Sequence, residues 1–256
     1  MEHSPQPNHM PAITAVHSGA PAQKLWRSLF ILSGLVPLLS IVQRKPDSLL
    51  IYSVFVAVCL LRRKLAALAD RLPGPKALHL IGLFIVAGEL AEAFAWMGNY
   101  TKQSPHPGLL HPQLFANAIL AVGLYIGWGL AWLITLRWYR FTLAEAFLLT
   151  AFQGVFLEGW GKVFMGMIAV LPTNPLLALM MGVYVAAVHG SVVGIVMAPV
   201  VHRFDDPFRS RHWTRFPVVI ALVVVLVIVG CDVASRLTVP FGGLPPKRSI
   251  VEHPFW

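Results

Sequence analysis

Charged residues are scarce in this 256-residue chain, since Asp, Glu, Lys and Arg make up only 12% of it. Soluble domains carry about twice that fraction, so the composition excludes an ordinary soluble globular protein. Cysteine is scarce too. The two cysteines, Cys59 and Cys231, both lie in apolar segments, and their separation offers no metal-ligand spacing. We therefore predict no cysteine metal site.

Alternation of apolar and polar residues is also missing, although hydrophobic residues make up 57% of the chain. A transmembrane barrel would alternate. The apolar residues instead form continuous runs of about 20, long enough to cross a hydrocarbon layer roughly 30 Å thick. The chain does not open with a charged stub, an apolar run and a cleavage site, so no cleaved signal peptide is expected. The pattern predicts an all-α, polytopic helical membrane protein.

About seven apolar segments qualify as transmembrane helices of one bundle. They span residues 25–42, 48–61, 78–98, 112–136, 143–171, 176–201 and 217–235. Six or eight spans remain compatible with the pattern. The second segment is short enough to be partly re-entrant, and the fifth is long enough to tilt or kink. We predict a disordered N-terminal tail over 1–23, the bundle over 24–238 and a C-terminal tail over 239–256.

Two pairs of glycines lie one helical turn apart within these spans. Gly123 and Gly127 are in the fourth span, and Gly190 and Gly194 are in the sixth. Small residues at this spacing let helix backbones approach closely, so both pairs are predicted packing sites.

The formal net charge of +9 arises from 20 Lys and Arg against 11 Asp and Glu. The basic residues lie between the apolar runs, as the membrane-orientation rule requires, so we predict no nucleic-acid partner. Thirteen of them fall on the side of the N-terminus and the second, fourth and sixth connections, and six on the other side. This asymmetry predicts a cytoplasmic N-terminus and a C-terminus outside.

Several ionisable residues lie inside the predicted spans, where charge is costly and usually faces the protein interior or a water-filled cavity. They are Glu89, Glu92, Glu158, Lys162, His189, Asp232 and Arg236. At about 1.5 Å per residue, Glu92, Glu158 and Asp232 each lie roughly 20–22 Å from the cytoplasmic end, and Glu89 about 16 Å. Three spans thus bring acids to one level.

An excess of acid is expected at this level. Like charges in a low-dielectric site cannot all ionise, so at least one carboxyl is expected to keep its proton. We predict that Glu158 is a catalytic acid, with Glu92, Asp232 and Glu89 as partners and Lys162 partly neutralising them. Alternatively, Glu158 and Lys162, four residues apart, form a structural ion pair. These residues define no metal or cofactor site.

His189 is expected on a different level. Counted from the other end of its span it lies about 20 Å deep, some 10 Å from the level of Glu158. A hydrogen bond between helices is therefore the expected role of His189, and not that of a ligand.

Part of this pattern resembles the intramembrane proteases of the CAAX-processing and bacteriocin-processing type. That family carries paired glutamates followed by an arginine, and later histidines. Glu158 resembles the second glutamate, Lys162 a substituted arginine, and the Val-His-Gly sequence at 188–190 the first histidine motif. Leu157 stands where the first glutamate would be. The resemblance implies proteolysis within the membrane.

The architecture is also similar to that of the membrane-bound terpene cyclases of fungal meroterpenoid pathways, which are small proteins of about seven spans with intramembrane acids. That similarity implies what acids among aromatic side chains do: a protonated carboxyl starts cyclisation, and aromatic faces stabilise the cation.

The sequence therefore predicts a membrane-embedded enzyme that acts on a lipophilic substrate by acid–base chemistry at the intramembrane carboxylates. A proton- or cation-coupled transporter, a degenerate CAAX-type protease and a structural membrane subunit are the alternatives. The expected partners are the lipid bilayer and a lipophilic small molecule or ion.

Overall fold

The computed structural model describes residues 46–256 except His106 and Trp160. The predicted tail over 1–23 and the predicted span over 25–42 lie outside the described residues. The helices are α1 Pro46–Leu60, α2 Arg62–Arg71, α3 Lys76–Thr101, α4 Leu114–Trp138, α5 Leu143–Leu157, α6 Lys162–Val170, α7 Pro175–Val200 and α8 Arg215–Thr238. Over the described part of the chain, the all-α prediction is confirmed.

Four of the described helices are long and apolar enough to cross a membrane, namely α3, α4, α7 and α8. Shorter apolar helices lie over Ser48–Leu60 and Leu143–Phe156, within α1 and α5. The composition and length of these helices support a polytopic membrane bundle. A count of seven transmembrane helices is not confirmed.

The predicted fifth span is not continuous, because the chain leaves the helix between Leu157 and Lys162. In this break Gly159 has a φ of 56° and Gly161 a φ of 82°. Positive φ values strain residues with side chains and suit glycine, so the glycines of Glu-Gly-Trp-Gly permit the interruption. Both halves pack along α7, with Gly154 of α5 against His189 and Met167 of α6 against Gly182. The span predicted over 143–171 is therefore two helices, and the kink that its length allowed is a complete break.

Glycines set the closest helix contacts. A Cβ on Gly123 would lie 2.3 Å from the carbonyl oxygen of Gly230, and one on Gly127 would lie 2.1 Å from that of Leu226. The backbones of α4 and α8 are thus in direct contact. Gly190 and Gly194 of α7 act differently, since the rings of Phe147 and Phe55 fill the space beside them. Those two rings stack at a centroid distance of 5.1 Å, which joins α1, α5 and α7.

The two ends of the bundle differ in chemistry. At the end formed by Lys76, Trp138, Val200 and Arg215, which we term the basic end, arginines pair with acids across connections. Arg140 lies 2.6 Å from Asp205, and Arg215 lies 2.6 Å from Glu145.

The opposite end of the bundle is formed by Thr101 and Leu114, and we term it the cavity end after the cavity described below. Here the C-terminal residues pack against α3 and α4. The amides of Leu114 and Phe115 donate to the carbonyl oxygens of Pro254 and Phe255, and the ring of Phe255 stacks on Trp96 at 6.0 Å. The last residues of the chain thus pack on the cavity end.

Candidate functional site

A cavity of about 390 Å³ lies near the cavity end, bounded by α3, α4, α6, α7 and the break before α6. Its lining is mixed. The polar lining residues are Glu92, Asn99, Lys102, Tyr125, Glu158, Tyr184 and His189. The apolar walls include Ala91, Val163, Met181 and Val188. Ligand sites typically combine apolar walls with a few convergent polar groups, so this cavity is the candidate site.

Glu158 and His189 form a hydrogen-bonded pair in this cavity. The Nε2 of His189 lies 3.0 Å from Oε2 of Glu158, and its Nδ1 lies 3.2 Å from the carbonyl oxygen of Val185. A carbonyl only accepts, so Nδ1 carries a hydrogen. The Nε2–Oε2 contact then requires one more proton, held by either the imidazole or the carboxyl. The pair therefore shares one transferable proton.

This contact shows that the expected 10 Å offset between Glu158 and His189 was wrong. The estimate assumed a span about as long as the hydrocarbon layer is thick, but α7 has 26 residues, or about 39 Å of helix. Counted from Val200 instead, His189 lies about 17 Å from the basic end. The remaining difference in height between Glu158 and His189 is short enough for their side chains to meet.

The imidazole of His189 is held between two helices. On one side lies Gly154 of α5, where an added Cβ would be 2.5 Å from His189 Cγ. On the other side lies Trp128 of α4, with a ring-centroid distance of 6.1 Å. The missing side chain at Gly154 is therefore what lets the imidazole reach Glu158.

Glu92 occupies another wall of the cavity and accepts two hydrogen bonds. Asn117 Nδ2 donates to Oε2 at 3.0 Å, and the Tyr125 hydroxyl donates to Oε1 at 3.5 Å. The amide of Asn117 is oriented by its Oδ1, which accepts from the backbone N–H of His111 at 3.0 Å. The ring of Tyr125 lies where Gly88 has no side chain. The two donors fix the orientation of the Glu92 carboxyl group.

His111 connects this network to the C-terminal segment. Its Nε2 donates to the carbonyl oxygen of Pro245 at 3.0 Å, while its Nδ1 accepts from the backbone N–H of Gln113 at 3.3 Å. Only the neutral imidazole makes both bonds, because a hydrogen on Nδ1 would oppose the Gln113 N–H. Burial lowers the pKa of His111 below its ordinary value, which favours this neutral form.

We predict that acid weakens the cavity end through His111. The folded pKa is lowered, so the unfolded chain binds this proton at higher pH than the folded chain does. The stabilisation is complete above the unfolded pKa of about 6.5 and declines as the pH falls toward the folded pKa. Between about pH 7.5 and pH 5.5, the thermal midpoint of the wild type should fall more than that of His111→Gln. The exposed His253 is the control, and His253→Gln should retain the wild-type pH dependence.

The structure separates the other predicted site residues from the cavity. Glu89, one turn before Glu92, is half-buried and does not line it. Lys162 is exposed, and the carboxylate of Glu158 pairs with His189 and not with Lys162 among the described contacts. Asp232 pairs with Arg236 at 2.8 Å on an exposed face of α8. The cavity therefore joins Glu92 and Glu158 but not Asp232.

Sequence reasoning missed Asn117. The hydrogen bond between helices that was expected of His189 is present, but its partner, Glu158, was not predicted. Asn117 is 1% exposed. Its polar amide interrupts an apolar run, and this feature of the sequence could have identified it as a candidate site residue. The two glycines at Gly159 and Gly161 could likewise have indicated the helix break.

Within the described residues, no group of three or more His, Cys, Asp or Glu could hold a metal ion. Comparison of the chain with protein-family models, curated proteins and solved structures finds no match. The chemistry of the cavity is therefore argued from its own residues.

Proposed function

We propose that this protein is a membrane-embedded enzyme that transfers a proton to or from a lipophilic substrate at Glu158 and His189. The observation that carries the proposal is their 3.0 Å hydrogen bond inside a cavity of about 390 Å³. General acid–base catalysis needs a proton held within hydrogen-bond reach of the substrate, and this pair holds one.

Each side chain has a separate task in this proposal. Glu158, exposed by the helix break, gives or takes the proton, while His189 accepts or returns it. The Val185 carbonyl keeps Nδ1 protonated and so directs Nε2 at Glu158. Glu92, oriented by Asn117 and Tyr125, presents a carboxyl group that fixes a polar part of the substrate. The apolar walls favour a lipophilic substrate.

Substitution of the pair tests the proposal. Glu158→Gln keeps the shape and can donate to His189, but it cannot transfer a proton. We expect at least about a hundredfold loss of activity, the scale of general acid–base catalysis, with nearly unchanged abundance. His189→Gln should have a similar effect. Activity is followed by mass spectrometry of membrane lipids from cells that express each variant, as conversion of a species that accumulates in both variants.

Asp232→Asn and Lys162→Met are the matched controls. Both change an ionisable residue in the same half of the bundle, but neither residue lines the cavity. They should retain wild-type conversion. Wild-type conversion by Glu158→Gln would instead remove the catalytic role from Glu158.

A proton-coupled transporter is the second candidate, because the break between α5 and α6 places Glu158 at an interrupted helix. Interrupted helices often mark transporter binding sites. The two functions differ in their need for compartments. An enzyme converts substrate when purified in detergent, whereas a transporter acts only in sealed vesicles.

Proteolysis is a narrower form of the proposed enzyme. The intramembrane proteases that the sequence resembles use glutamate and histidine, and Glu158 is in contact with His189 here. If this form holds, the species that accumulates in Glu158→Gln membranes is a peptide, and not a lipid or an isoprenoid.

We also propose that the basic end faces the cytoplasm, which follows from the distribution of Lys and Arg. With an N-terminus inside and a C-terminus outside, reporters fused after Leu72 or Arg211 should be cytoplasmic. Reporters fused after Gly98 or Trp256 should lie outside. A cytoplasmic reporter after Trp256 would contradict the orientation.

A further inference from the structure

One side of α2 is fixed to the end of α7. Ala69 is buried, and its carbonyl oxygen accepts from the guanidinium of Arg203 at 3.2 Å. Asp70 lies 3.1 Å from His202 and 3.6 Å from Arg203. These contacts set which way the remaining sides of α2 face.

The side opposite Asp70 is a stripe of exposed leucines. Leu61 is 47% exposed, Leu68 56% and Leu72 47%. At 3.6 residues per turn, these positions fall in one line along the helix, about half a turn around from Asp70. Leu65 lies in the same line and is partly buried, whereas Leu61, Leu68 and Leu72 leave about half of their surface uncovered by the described part of the chain.

Positive charge borders the leucine stripe. Lys64 and Arg71, seven residues apart, lie on one flank of it, and both are exposed. Among the described residues neither forms an ion pair, whereas four arginines at the same end each pair with a carboxylate. Those four are Arg140, Arg203, Arg209 and Arg215. The charge on Lys64 and Arg71 is thus left unbalanced beside an apolar surface.

We propose that the leucine stripe with Lys64 and Arg71 binds anionic lipid at the surface of the leaflet next to the basic end. Helices that lie in the membrane interface bury an apolar face at the headgroup boundary and place Lys or Arg beside lipid phosphates. The α2 helix directly follows the apolar α1, so the chain reaches the membrane surface where α2 begins. The site is a lipid anchor that is independent of the proposed catalysis.

Lipid titration of the purified full-length protein tests the charge. Binding of phosphatidylglycerol and of phosphatidylcholine with identical acyl chains is measured by native mass spectrometry. We expect preferential binding of phosphatidylglycerol, reduced about fivefold for each removed charge in Lys64→Gln/Arg71→Gln. Lys247→Gln/Arg248→Gln removes two exposed charges at the opposite end and should leave the preference unchanged. Equal affinity for both lipids, or equal loss in both double variants, would overturn the proposal.

A spin label at Leu68→Cys, in protein whose free Cys59 and Cys231 are replaced by alanine, tests the apolar contact in vesicles that contain both lipids. Relaxation by oxygen should exceed that by a water-soluble nickel complex, in contrast to a label at Lys247→Cys. Strong relaxation of the label by the nickel complex would show that the leucine stripe lies in water. Weak relaxation by both oxygen and the nickel complex would show that a protein partner covers the stripe. Either result would exclude a lipid-facing stripe, and neither bears on Glu158.

Discussion

Gly154→Ala is expected to abolish activity although the substitution is four residues from Glu158 and adds one methyl group. The new Cβ would lie 2.5 Å from Cγ and 2.8 Å from Cβ of His189. The backbone fixes the position of the His189 Cβ, so a change of rotamer does not clear that contact. His189 must move away from α5, and Nε2 then loses Glu158. We expect a loss of at least about a hundredfold, as for Glu158→Gln.

Gly82→Ala in α3 is the matched control, because its added Cβ would have no atom within 4 Å. Alanine there should be neutral for activity and slightly stabilising, since glycine is about 1 kcal/mol less favourable in a helix. Conversion is measured as for the Glu158 variants, together with abundance. Retention of activity by Gly154→Ala would show that the contact between Glu158 and His189 is dispensable.

Gly127→Ala is expected to have the largest effect on stability. Its Cβ would lie 2.1 Å from the carbonyl oxygen and 2.6 Å from the carbonyl carbon of Leu226. Backbone atoms cannot swing aside, so α4 and α8 must separate. Overpacking typically costs about 1–3 kcal/mol, and we expect the upper end of that range or more. The thermal midpoint in detergent measures the loss, with Gly82→Ala as the reference.

The same experiment separates packing from chemistry. Gly127 faces α8 and not the cavity, so protein that survives the Gly127→Ala substitution should keep its activity per folded molecule. An unchanged midpoint would mean that α4 and α8 tolerate a wider crossing than the one described.

Hydropathy alone predicted the four long apolar helices of the structure, because an apolar run in lipid must satisfy its backbone hydrogen bonds internally. The runs behind α3, α4, α7 and α8 were each identified within a few residues. The break at Glu158 was not predicted, because Gly159 and Gly161 sit in a run whose hydropathy continues on both sides. Hydropathy measures burial and does not register positive φ values.

The sequence also predicted that several acids lie at similar heights along their helices, because residue counts convert directly to height along a helix. Only the tertiary structure decided which acids meet. Glu158 and Asp232 have similar predicted heights, yet Glu158 faces the cavity and Asp232 faces outward beside Arg236. Height depends on position within one helix, whereas contact depends on how helices rotate and cross. Gly154 and Gly88 set how closely neighbouring helices bring His189 and Tyr125 to the carboxylates, and that closeness exists only once the helices have packed.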